Sequence, residues 1–184
     1  GGYPDFLVAL TKLGKPTIAR IPGVAMGGGL GIVAACDFAI ACESAKFGTP
    51  EIKRGLFPMM IMAVLRRVVS KRRLMEMMLV GESFDARTAE RIELVSRVVP
   101  DAELDATVAE LAGKLAAQSP TAMRLGLAAW NAQADLDLER ALPMLAWLIE
   151  HTPIEEHTPA IDRIASVLQA QPPREPRRPD ILYD

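Results

Sequence analysis

Histidine is scarce in this 184-residue chain. There are two, His151 and His157, both late and six positions apart. That is not the four-residue step that sets two ligands on one helix face, and no cysteine lies nearby, so the expectation is no metal site. So few imidazoles, placed so late, also argue against a Ser-His-Asp hydrolase. Cysteine is equally rare. Cys36 and Cys42 sit beside or within apolar runs. They read as core thiols in a reducing compartment, the cytoplasm, rather than as a disulfide framework. Neither sign of charge is in excess. Twenty-one basic and 23 acidic residues leave a net charge of −2, against the profile of a dedicated nucleic-acid binder. No apolar run approaches the roughly 20 residues of a membrane span. The start, GGYPDFLVAL, lacks the basic segment of a signal peptide. No internal repeat is evident.

What the chain does have is apolar surface to bury. Half of its residues are hydrophobic, enough for one sizeable core with an appendage. Residues 21–55, IPGVAMGGGLGIVAACDFAIACESAKFGTPEIKRG, are the stretch around which the rest is organised. They read as a buried strand, a Gly-rich turn, a short apolar helix, a second strand, and a polar loop holding one carboxylate, Glu51. Gly27, Gly28 and Gly29 permit backbone geometry that a Cβ forbids. Amides in the first turn of the following helix have no internal partner and can face a negative oxygen. An oxyanion site beside a general acid/base is one reading; tight helix-on-strand packing is the other. The turn is no P-loop, since no G-K-[ST] follows, and no dinucleotide fingerprint, since position 32 is Ile. Glu51, beside Lys53 and Arg54, also admits the plain reading of a solvated ion pair.

The remaining pattern is mostly local. Residues 3–12 carry Phe6, Leu7 and Leu10 at helical spacing, ended by Gly14 and Pro16. Residues 17–21 and 37–42 read as strands, parallel because a helix separates them. Residues 24–29 lead into the turn, and 47–50 have turn chemistry. Residues 56–69 read as an apolar helix entered through Pro58. Met59, Met60 and Met62 on it can line an apolar pocket or pack in the core. Arg66, Arg67, Lys71, Arg72 and Arg73 form a basic cluster, either a phosphate contact or a solvated helix end. Helices follow at 74–80, 86–92 (capped by Asp85), 101–117, 120–132 (capped by Ser119), 136–150 and 160–168, with a strand at 94–99.

The run KPTIARIPGVAMGGGLGIVAACDFAIACESAKFGTPEIKRGLFP resembles the enoyl-CoA hydratase/isomerase (crotonase) family. The likeness continues through LMEMMLVGESFDARTAERIELVSRVVP and, more loosely, through SPTAMRLGLAAWNAQADLDLERAL, covering most of residues 15–145. It implies an α/β fold, the crotonase-like (ClpP/crotonase) spiral of ββα units with a C-terminal helical oligomerisation region. Residues 1–118 would be the C-terminal part of the spiral core, 119–170 the helical trimerisation region, and 171–184 a flexible tail. It implies an acyl-CoA thioester as partner, with coenzyme A part of the substrate and no separate cofactor. It implies a homotrimer or dimer of trimers, no nucleic acid and no membrane, with Trp130 and Trp147 as interface or core anchors.

By this resemblance Glu51 is the acid/base and the Gly28 amide an oxyanion donor. Gly27, Gly29, Met59 and Met60 would line the substrate. The basic cluster would be placed to meet the phosphates of coenzyme A.

Three departures stand out. Two-carboxylate hydratases carry a second Glu two positions after the GGG turn, where this chain has Gly31. That favours a single-acid reaction, isomerisation or assisted hydration. Glu93 stands where the family has a left-handed Gly, at roughly 1 kcal/mol of strain if the conformation is kept. The family's N-terminal βα region, about a third of the usual length, has no counterpart in residues 1–15. It normally supplies the first oxyanion donor, and losing one such donor costs about 3 kcal/mol of barrier. A fragment, an unresolved region and a truncated gene all fit. The rival function is a non-catalytic acyl-CoA-binding or oligomerising relic.

Overall fold

The computed structural model describes residues 2–151. The expected helix at 160–168, the tail at 171–184 and His157 lie outside the described residues.

Two strands and a helix alternate along the chain. Helix α1 (Tyr3–Thr11) leads into β1 (Ile18–Ile21), β2 (Val24–Met26) and α2 (Gly28–Ala35). Then come β3 (Phe38–Cys42), β4 (Lys46–Gly48) and a 3-10 turn, Pro50–Arg54. After α3 (Met59–Leu65) and α4 (Lys71–Val80) follow β5 (Phe84–Asp85), α5 (Ala86–Arg91) and β6 (Arg97–Val99). A short 3-10 turn, Asp101–Glu103, precedes α6 (Leu104–Ala116), α7 (Pro120–Gln133) and α8 (Leu138–His151).

Strands β1 to β4 go alternately to two sheets. One sheet has the order β1-β3-β6, all parallel; the other has β2-β4-β5, parallel then antiparallel. The parallel pairing of β1 with β3, Ile18 against Phe38 through Ile21 against Ala41, is the expected one. The second sheet is not. Residues 24–26 form a strand rather than a lead into the turn. Phe47 and Gly48 belong to β4 rather than to a loop. Phe47 is fully buried and stacks on Phe84, ring centroids 6.0 Å apart. Burial, not local turn propensity, decides its conformation.

Between the sheets and helices lies one core, centred on Leu30, Ile40, Ala41, Phe47, Leu65, Met78 and Leu104. The apolar stripe of α6 faces it, with Leu104 buried and Val108 and Leu111 packed against it. Caps fall where the side chains dictate. Asp85 accepts from the Thr88 amide at 2.8 Å, and Ser119 Oγ from the Ala122 amide at 3.3 Å. Gly81 ends α4 at φ 68. Glu93 takes φ 64, as expected of a left-handed position.

Other expectations need correction. The helix expected at 56–69 is only Met59–Leu65, with Pro58 as its N-cap rather than its first turn. Met59, Met60 and Met62 are exposed, so core packing is wrong for them. Lys71, Arg72 and Arg73 open α4 instead of closing a helix, so no C-terminal dipole favours them. Trp130 and Trp147 are exposed and therefore not core anchors.

Candidate active site

The Gly-rich turn joins β2 to α2, and its first residue sets the geometry. Gly27 has φ 50 and ψ −120 and is the N-cap of α2. Its amide donates to Gly48 O at 3.0 Å, the last rung between β2 and β4. The first intrahelical bond is Gly31 N–H to Gly27 O at 3.2 Å. The Gly28 amide therefore belongs to the first turn of α2, where helix geometry supplies no internal acceptor.

Glu51 meets this turn from the other sheet. It lies in the 3-10 turn after β4, opened by Pro50 and closed by Gly55 at φ 75. A Cβ at Gly27 would collide with Glu51 Oε1 and stand 3.2 Å from its Cδ. The carboxylate thus rests directly on the Gly27 backbone. Glu51 Oε2 is buried and has no hydrogen-bond partner among the described residues. That overturns the solvated ion pair: Lys53 and Arg54 are exposed, while this oxygen is hidden from water. A buried, unpartnered carboxylate oxygen is costly to a fold, so this one calls for a reason other than solvation.

The turn is held from behind by Thr49, which is fully buried and donates from Oγ1 to Met77 O of α4 at 2.7 Å. Gly81 permits close packing of α4 here, since a Cβ on it would come 2.5 Å from Ile52 Cγ2 and 3.3 Å from Thr49 O.

A third side chain converges on the same place. Tyr3, in the first turn of α1, donates its phenol hydrogen to Gly28 O, across 25 residues of sequence. A Cβ at Gly28 would lie 3.7 Å from Tyr3 Cζ, ordinary contact with the ring. A Cβ at Gly31 would stand 2.5 Å from Ile61 Cγ2 and nearer still to Tyr3 Oη. Burial pushes the Tyr3 phenol above its usual pKa, and the Glu51 charge raises it further. Sequence reasoning missed Tyr3. Nothing in GGYPDF distinguishes it from a helix residue facing the core, and only the long-range contact reveals it.

The structure thus brings together Glu51, Gly27, Gly28 and Gly31, with Gly29 in the same turn. Met59 and Met60 sit on the exposed side of α3, next in sequence to the Ile61 that packs on Gly31. Of the basic cluster, Arg67 donates to Ala63 O at 2.6 Å and to Asp135 at 3.3 Å, and Arg73 to Glu76 at 2.9 Å.

Comparison with known proteins bears on this arrangement. A sequence model described as Enoyl-CoA hydratase/isomerase matches residues 2–162. The chain belongs to that family. Its fold is accordingly the α/β crotonase-like spiral of ββα units. "Probable enoyl-CoA hydratase echA8" of Mycobacterium tuberculosis is 39% identical over 142 residues, which is 75% of this chain and 55% of the relative. "Probable enoyl-CoA hydratase, mitochondrial" of Dictyostelium discoideum is 40% identical over 134 residues, 72% of this chain and 48% of the relative. The chain therefore spans about half the length of the curated relatives it matches. Among solved structures, an enoyl-CoA hydratase of Mycobacterium smegmatis superposes with a TM-score of 0.81 at 29% identity, covering 91% of this chain and 64% of that one. A family protein of Silicibacter pomeroyi gives 0.78 at 36% identity, covering 81% and 65%.

Proposed function

We propose that this protein acts on acyl-CoA thioesters by acid–base proton transfer through a thioester enolate. Hydration of an enoyl-CoA and migration of its double bond are the two outcomes. The observation that carries the reading is the buried, unpartnered Glu51 Oε2 against the N-terminal turn of α2. A thioester carbonyl bound at the Gly28 amide gains negative charge as a proton leaves or water adds. A donor already oriented at that oxygen lowers the barrier, by about 3 kcal/mol for one hydrogen bond. Glu51 moves the proton. For isomerisation it takes one from Cγ and returns it to Cα, so one carboxylate suffices.

Gly29 lets substrate approach the turn without a Cβ in the way, and Gly27 lets the Glu51 carboxylate reach that substrate from its seat on the turn. Met59 and Met60 supply flexible thioether surface for the acyl chain. Met60 also walls a cleft of about 490 Å³ with Pro4, Leu7, Val8 and Val64. Coenzyme A enters as part of the substrate. A homotrimer, or a dimer of trimers, built through α7 and α8 would cover Trp130, Leu138, Leu142 and Trp147, all exposed here. The free thiols Cys36 and Cys42 suit a reducing compartment such as the cytoplasm. Among the described residues no helix is long and apolar enough to cross a membrane.

The test is turnover of a 2-enoyl-CoA and a 3-enoyl-CoA by the full-length protein, with Glu51→Gln alongside. The expected result is activity that falls by about 100-fold or more in the variant, the scale of losing a general acid/base, with acyl-CoA binding retained. Binding without turnover in the unmodified protein would favour the non-catalytic relic instead.

A further inference from the structure

We infer that Tyr3 is the second proton-transfer group of this site, a general acid on the same glycine turn as Glu51, in space that Gly31 leaves open. This rests on the acid–base reading above and extends it to hydration, which one carboxylate alone serves poorly.

The argument starts from position 31. A side chain there would have to occupy the place of Tyr3 Oη and Ile61 Cγ2. The missing carboxylate and the arriving phenol are therefore one substitution of function in space, made by residues on different helices. The phenol is also held. Leu7, one turn on along α1, is buried in the core. The ring lies over Gly28, and its hydroxyl is bonded to Gly28 O. Pro4 stiffens the first turn that carries Tyr3. Glu51 rests on Gly27 of the same turn, and its charge acts on the phenol.

A phenol of raised pKa is neutral at physiological pH, so it can give a proton but is a poor base. Glu51, as carboxylate, is the complementary base. In hydration Glu51 takes a proton from water as its oxygen bonds to Cβ. The π electrons of the double bond pass into the thioester enolate. Rotation about Cζ–Oη swings the Tyr3 proton from Gly28 O to the substrate, and Cα takes it as the enolate collapses. One C–O, one C–H and the Glu51 O–H bond form, and one O–H bond of water, the phenol O–H and the C=C π bond break. The phenolate then recovers a proton from the Glu51 carboxylic acid, downhill because phenol is the far weaker acid. Water is the only co-reactant, and both groups return to their starting states.

Isomerisation needs only Glu51, and this separates an acid from a structural prop. The experiment compares Tyr3→Phe with unmodified protein and Glu51→Gln, at full length, on a 2-enoyl-CoA and a 3-enoyl-CoA across pH 6 to about 11. The expected result is hydration kcat down about 100-fold or more in Tyr3→Phe. KM should stay within a few-fold, and double-bond migration should be little changed. Hydration by the unmodified protein should fall at the alkaline end as the phenol ionises, and the variant should lack that limb. Equal slowing of both reactions would mean that Tyr3 only positions Gly28, and would overturn the proposal. Hydration unchanged in Tyr3→Phe, with Glu51→Gln inactive, would overturn it while leaving the function reading intact. An unmodified protein inert to both substrates would overturn both. Melting temperature of each variant, measured alongside, separates loss of chemistry from loss of fold.

Discussion

The Glu51 carboxylate lies where a Cβ of residue 27 would have to be. Two glycine requirements coincide at Gly27: a positive-φ backbone, φ 50 with ψ −120, and contact with the acid. Alanine at 27 would fail both. It carries roughly 1–3 kcal/mol of backbone strain and displaces the carboxylate.

Gly27→Ala is accordingly expected to lose more activity than stability. Turnover of an enoyl-CoA should fall by about 100-fold, as for removal of the acid itself. The loss on urea unfolding should stay within about 1–3 kcal/mol. A variant that keeps full turnover would show that Glu51 acts from somewhere other than its seat on the turn.

The contrast between the two sheets shows which features were legible in the sequence. Strands β1 and β3 announce themselves as β-rich runs around a helix, and their parallel pairing follows from that connection. Strands β2 and β4 have three residues each, too few for a period, and they stabilise one another across an intervening helix and strand. Phe47-Gly48 looks like a turn until Phe84 and the core are in place. The same divide runs through the site. Local chemistry marks the glycine turn and the caps at Asp85 and Ser119. Resemblance marks Glu51. Its buried oxygen and the approach of Tyr3 come from contacts between distant segments, which no window of sequence contains.

Glu93 is the one non-glycine residue at positive φ among the described residues, at 64°. It follows α5, and the amide after it, on Leu94, returns to Ala89 O at 2.9 Å, so the bend is fixed by the helix end. A side chain in this conformation costs roughly 1 kcal/mol, which glycine avoids. Glu93→Gly should therefore raise the urea midpoint by an amount equivalent to about 1 kcal/mol and leave turnover unchanged. The position lies outside the site. A midpoint that falls would mean that the Glu93 side chain contributes more than its backbone costs.

Acid should loosen the joints between the strands and the C-terminal half. Asp101 accepts from the Ser44 amide at 3.1 Å and from Ser44 Oγ at 2.5 Å, tying the β3–β4 connection to the start of α6. Asp105 binds Arg20 of β1 at 2.5 Å. Hydrogen bonds from Ser44 hold the Asp101 carboxyl below its usual range, and the bond from Arg20 does the same for Asp105. Both carboxyls are thus more acidic in the folded chain than in the unfolded one. Their stabilisation is complete above the unfolded value of 3.8 and is lost as pH falls through the lower folded value. The urea midpoint should hold from neutral pH to about 5 and then decline. Asp101→Asn keeps an acceptor oxygen but has no proton to gain. Its midpoint should be lower at neutral pH, and its decline in acid shallower than that of the unmodified protein. Both groups are exposed, so salt should shrink the difference. An identical acid slope in the variant would move the linkage away from Asp101 to the other capped and paired carboxylates, Asp85 and Glu110, whose pKa values are also lowered.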